Sequence, residues 1–252
     1  MAPTATTAAY PPIKAKDEPR KAGTFILVRR WKRRVPIPAK RRVALTDRPV
    51  RAGTRTVAPN MDPETLARLV FCFENSPERD DGIVSGAQDA IGICVPGLAR
   101  HYYDNHFWPE RIETCEDERI LSWLESHLCM LPMEPRPQGC SVVEGKDITG
   151  PKVKALADAA DRCWAAITAL DLEGFAAAYQ ASFEAQVAMF PAMVQGSVQE
   201  YIDRYSSLPG VRAWKMPGAG GGGYFACVVD DAPAFAAKNP GTILLKIRRP
   251  GM

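Results

Sequence analysis

The chain has little of what marks the most recognisable functional classes. It carries three histidines in 252 residues, and its seven cysteines (72, 94, 115, 129, 140, 163 and 227) include no Cys-x-x-Cys pair. An odd set of scattered thiols argues against a disulfide frame and a zinc site, and fits a reducing cytoplasm. No run approaches the ~20 apolar residues that span a bilayer. Met1-Ala-Pro-Thr-Ala-Thr-Thr lacks the charged start and long apolar core of a secretory signal. With 46% hydrophobic and 24% charged residues, the chain is not a collagen, a coiled coil or a wholly disordered protein. The expectation is a cytoplasmic globular protein without a membrane partner.

Charge of one sign is scarce in each part of the chain. Residues 1–55 hold 15 Lys/Arg against 3 Asp/Glu, a net of +12, while residues 56–252 hold 17 against 26, a net of −9. The leader is rich in Pro, Ala and Arg, with basic clusters at Arg29–Arg34 and Lys40–Arg42 and one strand-like run, Thr24–Val28. Such a composition buries too little apolar surface to offset chain entropy, so residues 1–58 are expected to be disordered. The basic leader would neutralise phosphates if it met nucleic acid. It has no recognised folded module, however, so nucleic acid is not expected as a partner.

Ordered structure is predicted from about Met61. Asp62-Pro63-Glu64 is a helix start, and Leu66, Leu69, Val70 and Phe73 follow at helical spacing. Strand-like pieces come at Ala99–Tyr103 and Arg111–Glu113, then a helix over Glu118–His127 and a strand over Leu128–Met133. Two long helices follow, over Lys152–Leu170 and after Asp171, and a third is predicted over Val194–Ser206. Strands over Val211–Met216, Tyr224–Val229 and Thr242–Arg248, with a short helix after Asp231, complete an α+β pattern without a long parallel series.

Two stretches carry candidate chemistry. Lys215-Met-Pro-Gly218-Ala-Gly220-Gly-Gly-Gly223-Tyr224 has five glycines in six residues, so consecutive backbone N–H groups could converge on an anion. A strand follows rather than a helix, which excludes a dinucleotide fingerprint, and no Gly-Lys-Ser/Thr ends the run, which excludes a Walker A loop. A glycine-rich hairpin without a ligand stays open beside the anion site. The second stretch is Ser85-Gly-Ala-Gln-Asp89, with Ala90–Val95 apolar after it. A carboxylate entering an apolar segment is costly unless it is paired or at work. The alternative is that Asp89 caps a short helix. His101, His106 and His127 have no ligand spacing and read as core or surface residues.

Together the Ser85–Asp89 and Lys215–Gly223 stretches resemble two of the three signature motifs of the GHMP small-molecule kinases. Trp108–Glu113 and Leu245–Arg249 resemble the sugar branch, the fucokinase- and heptose-kinase-like members, and the similarity covers about residues 62–249. The resemblance implies a two-layer, ferredoxin-like C-terminal domain over residues 119–252, a partial N-terminal domain over 59–118 and the basic leader over 1–58. It implies ATP-dependent phosphoryl transfer to the hydroxyl of a sugar or sugar phosphate, with Mg. Asp89 matches the family's catalytic aspartate, Glu74 its magnesium-binding glutamate, and Gly218, Ala219, Gly220, Gly221, Gly222 and Gly223 its phosphate-side loop. Pro217 departs from the Thr or Ser usual before those glycines. Nothing in residues 1–60 matches the family's nucleotide loop or its substrate-binding segment. The expectation is therefore a leader of non-family sequence and impaired catalysis. The alternative functions are a non-catalytic remnant or interaction domain, and a nucleic-acid binder acting through the leader.

Overall fold

In chain order the elements are α1 (Pro63–Glu74), α2 (Ala87–Cys94), β1 (Leu98–Tyr102), β2 (Arg111–Cys115), α3 (Glu118–His127), β3 (Leu128–Pro132), α4 (Gly150–Ala169), α5 (Leu172–Met189), a 3₁₀ turn (Pro191–Val194), α6 (Val198–Ser206), β4 (Val211–Lys215), β5 (Tyr224–Val229), α7 (Ala232–Lys238) and β6 (Ile243–Leu244). This is a computed structural model, and it describes residues 61–76, 84–104, 106–137, 141–142, 144–194, 196–218 and 220–250. The expectations for the leader (1–58), the Thr24–Val28 run, Cys140 and Ala219 lie outside the described residues.

The helix starts follow the local chemistry of the sequence. Asp62 Oδ1 accepts from the Thr65 amide (2.9 Å), Asp171 Oδ1 from Gly174 (3.0 Å) and Asp231 Oδ1 from Ala234 (2.7 Å). Each carboxylate engages an amide that the first turn leaves without a helical partner. α4 turns into α5 through Leu170, which takes a left-handed conformation (φ 58°) that usually favours glycine. Its side chain packs on the core below, which offsets that strain.

β4, β5, β3 and β6 form an antiparallel sheet in that spatial order. With α4 and α5 between β3 and β4, and α7 between β5 and β6, this is the expected ferredoxin-like order. Alternate strand residues feed two apolar clusters. Leu128, Ala213 and Val228 join α3, α4 and the first half of α5 around Phe175 and Ile167. Cys129, Leu131, Phe225, Cys227 and Val229 join Phe183 of α5, Ile202 and Tyr205 of α6, and Phe235 of α7. A third, smaller cluster packs α1 and α2 on the two-stranded β1–β2 sheet, through Ala67, Ala87, Ile91 and Ala99.

Two expected elements are shorter than predicted. The helix foreseen over 194–206 is a 3₁₀ turn followed by α6, because Gly196 between them is left-handed (φ 64°) and breaks the helical path. The strand foreseen over 242–248 pairs only at Ile243 and Leu244. Beyond them the chain bonds to a side chain instead. The Ile247 amide donates to Glu125 Oε1 (2.7 Å), and Lys246 and Arg249 both bond to the same carboxylate. Arg249 also reaches Glu118, at 2.6 and 2.8 Å. No helix of the described residues is long and apolar enough to cross a membrane.

Candidate functional site

The glycine loop joins β4 to β5, the strand–loop–strand setting read from the sequence. Gly218, Gly220, Gly221, Gly222 and Gly223 all have φ between +72° and +141°, which L side chains rarely adopt. Packing adds a second demand at two of them. A Cβ on Gly220 would lie 2.8 Å from Met193 Cε, and one on Gly222 would lie 2.6 Å from the Glu134 carbonyl oxygen. The loop therefore threads between the 3₁₀ turn and the segment that leaves β3.

Its backbone is tied to both walls. The Gly221 amide donates to Met193 O (3.1 Å) and the Gly223 amide to Glu134 O (2.8 Å). Met133 N donates to Gly223 O (2.9 Å), which carries the β3–β5 ladder past its last pair. Gln186 of α5 donates through Nε2 to the Gly218 carbonyl (3.1 Å). The sequence suggested that consecutive amides converge on an anion. The structure corrects this, since the Gly221 and Gly223 amides already donate inward and Gly220 is itself buried against Met193.

Just before the loop, Lys215 points from β4 toward α5 and donates to Ser182 Oγ (3.1 Å). Burial pulls its ammonium down to about 8, and the nearby Cys163 thiol opposes that shift. One rung earlier, the Trp214 amide donates to Gln180 Oε1 (3.2 Å). Gln180, Ser182 and Gln186 thus bind the loop's entry strand to one helix. None of the three was singled out from sequence. Each partner lies 32–34 residues away, and no local pattern announces such a pairing.

Asp89 sits elsewhere, on the helix that packs against α1 and β1. Gly86 is the N-cap of α2, so Asp89 is the third helical residue rather than the cap, and it is exposed. The desolvation cost inferred from its apolar neighbours therefore does not arise. Ala90, Ile91 and Cys94 point inward while Asp89 faces out of the same helix. A carboxylate in a first turn is also favoured by the helix dipole.

Glu74 is the last residue of α1 and is exposed. The following residue ties this end of α1 to the approach to α2. Asn75 Nδ2 donates to Ser85 O (3.3 Å), and Ser85 N donates to Asn75 Oδ1 (2.7 Å). Glu74 is thereby held near the Ser85–Asp89 stretch. No basic residue lies in the last turn of α1, so a carboxylate and the helix's negative end share one place. Among the described residues no group of three or more His, Cys, Asp and Glu gathers as a metal cluster. A magnesium ion, which takes one or two carboxylates and completes its shell with phosphate oxygens and water, still fits Glu74. Of the histidines, His101 is fully buried, and burial pulls it down to about 4, while His106 is exposed beside Asp104 at 3.9 Å.

No family model and no curated protein matches the chain. Solved structures do match it. The chain is similar to a D-glycero-D-manno-heptose 1-phosphate kinase from Bacteroides thetaiotaomicron, with a TM-score of 0.50 and 14% identity over 79% of this chain and 56% of that one. It is similar to a protein described as a sugar kinase from Campylobacter jejuni, at TM-score 0.51 and 19% identity over 79% and 60%. It is also similar to a mevalonate kinase, at 0.56 and 14% over 79% and 62%. The chain spans 56–62% of the length of these structures. Its fold is that of the GHMP kinases, as the motif resemblance implied.

Proposed function

We propose that the chain is a kinase of the GHMP type, acting in ATP-dependent phosphoryl transfer to a hydroxyl of a sugar or sugar phosphate. The observation that carries this reading is the left-handed glycine loop between β4 and β5, set in a fold shared with sugar kinases. In this reading Gly218, Gly220, Gly221, Gly222 and Gly223 border the phosphates of ATP, with Ala219 among them. Asp89, exposed on α2, takes the proton of the attacking hydroxyl. Glu74 holds magnesium, which neutralises charge on the phosphoryl oxygens when bound.

The test is ADP release from magnesium ATP across a panel of free sugars and sugar phosphates. The expected result is slow turnover with at least one acceptor, since nothing in residues 1–60 matches the family's nucleotide loop, lowered ~10²-fold or more in Asp89→Asn, the scale of a lost general base. No release above background with any acceptor, or turnover untouched by Asp89→Asn, would sink the reading.

A second reading, a folded but non-catalytic domain, draws on the loop's packing. Met193 and Glu134 by themselves account for glycine at 220 and 222, without any ligand. In that case ATP leaves the melting temperature of the protein unchanged.

A further inference from the structure

The crowding at Gly221 and Gly222 has an unexpected author in the segment after β3. A Cβ on Gly222 would lie 2.8 Å from the Arg136 amide nitrogen and 3.1 Å from its Cα, besides the Glu134 carbonyl. A Cβ on Gly221 would meet Arg136 Cδ at 3.1 Å and Cγ at 3.4 Å. The two glycines thus make room for Arg136, with its backbone lying over Gly222 and its aliphatic stem over Gly221. The backbone bonds of Gly223 with Met133 and Glu134 (2.9 and 2.8 Å) hold that segment in place.

The head of this side chain is exposed. Many arginines of the structure are engaged: Arg100 with Asp161, Arg212 with Asp230, Arg249 with Glu118 and Glu125, Arg248 with a carbonyl, and Arg68 with Glu64 and the Trp108 ring. The guanidinium groups of Arg119 on α3 and Arg162 on α4 are not, but only Arg136 lies against the glycine loop. Among the described residues the Arg136 guanidinium has no ion pair, hydrogen bond or ring partner. It is a cation whose stem is packed in place and whose donors have no partner among the described residues, at the rim of a loop in which Gly218 is exposed and Gly222 half-buried.

We propose that Arg136 is an anion clamp at the glycine loop, closing its guanidinium on phosphate oxygens that rest on the open side of the loop, where Gly218 is exposed and Gly222 half-buried. A guanidinium presents paired donors in a plane that matches two phosphate oxygens at once. Packing of the stem on Gly221 removes part of the ordering cost that a free surface arginine meets on binding. The ligand chemistry is a phosphate monoester or anhydride, and both a nucleoside triphosphate and a phosphorylated sugar present it. The proposal rests on the kinase reading for the identity of that phosphate, and on the geometry alone for the clamp.

The test measures binding of inorganic tripolyphosphate, magnesium ATP and glucose 1-phosphate to the full chain by calorimetry, for wild type, Arg136→Gln and Arg136→Lys. The expected result is tripolyphosphate binding weakened at least ~10-fold in Arg136→Gln, the range of a lost charge-assisted hydrogen bond. Arg136→Lys should recover part of it, and the melting temperature of the unliganded protein should stay the same in all three, since the head group is exposed. The loss should extend to magnesium ATP if the clamp serves the nucleotide, and to glucose 1-phosphate if it serves the sugar. Wild-type affinity for all three probes in Arg136→Gln, or no binding of any probe by wild type, overturns the clamp. The two readings separate cleanly. Turnover of ATP and a sugar with Arg136-independent binding keeps the kinase and removes the clamp. Arg136-dependent tripolyphosphate binding without ADP release for any acceptor keeps the clamp and removes the kinase.

Discussion

Residues 61–115 bury one small cluster around Ile91 and Ala99, whereas residues 118–250 build nearly all of two larger ones. The contrast extends to polar groups. Among the described residues, six buried side-chain polar atoms have no hydrogen-bond partner. Five of them lie in the first stretch, on Arg100, His101 (both nitrogens), Tyr103 and Trp108, and one in the second, on Gln186. Among the described residues, four of six exposed large apolar side chains, Leu69, Phe73, Ile93 and Phe107, also belong to the first stretch. An unpartnered buried polar atom costs about 1–3 kcal/mol. The difference teaches that stability is unevenly shared, with the stretch that carries Asp89 and Glu74 opening before the stretch that carries the glycine loop.

The strongest way to break that comparison is to cut a cavity in each part. Phe175→Ala should destabilise the sheet part by about 3–5 kcal/mol, seen as a lower urea midpoint followed at the α4 and β5 amides. Ile91→Ala should cost about 2–5 kcal/mol, and hydrogen exchange should report it within 61–115 while β5 stays protected. Equal loss of protection in both stretches from Ile91→Ala would mean that they open as one unit.

pH separates the two parts next. Burial holds His101 at about 4 against 6.5 for a free imidazole. The unfolded chain therefore binds the extra proton first. Stability from the neutral ring is complete above pH 6.5 and falls as pH drops through 4, by on the order of 3 kcal/mol. In the sheet part, hydrogen bonds from Arg249 bring the Glu118 carboxyl down to about 2. That contribution is complete above about pH 4.5 and is lost only as pH falls toward 2. Between pH 6.5 and 4.5 the first stretch alone should weaken, and His101→Leu should abolish the effect in thermal melts. A decline over that window that persists in His101→Leu would assign it to another group.

The smallest expected effect lies at the joint. Arg248 donates through its side chain to Cys94 O, the last carbonyl of α2, while Gly97 N donates to Arg248 O (2.8 Å). Arg248→Met should cost about 1–2 kcal/mol and speed exchange of the α2 amides, leaving those of α5 unchanged. Faster exchange in α5 as well would show that the strap supports both parts.

Much of the fold was legible because its causes are local. Asp62, Asp171 and Asp231 cap helices through amides three residues on, and the 3.6-residue stripe of Val153, Leu156, Ala160, Trp164 and Ile167 marks the core face of α4 from sequence, with Val153 at its half-buried end. The last strand was overread because its competitor, Glu125, lies more than 120 residues from its bonding partners. The helix predicted over 194–206 starts only at Val198 because left-handed Gly196 breaks the helical path. In the candidate site the glycines were legible, but their walls were not. Met193, Glu134, Arg136 and Gln186 come from three separate stretches, and nothing in their own neighbourhoods ties them to residue 218 or 222.

The sequence by itself determined the helix starts at Asp62, Asp171 and Asp231 and the strand–loop–strand setting of the glycines, because each depends on neighbours within a few residues. Only the tertiary structure decided which loop amides donate inward, that Asp89 faces outward from its helix, and that Arg136 lies over Gly221 and Gly222. Those outcomes depend on distances between segments remote in sequence, which packing sets and periodicity does not encode.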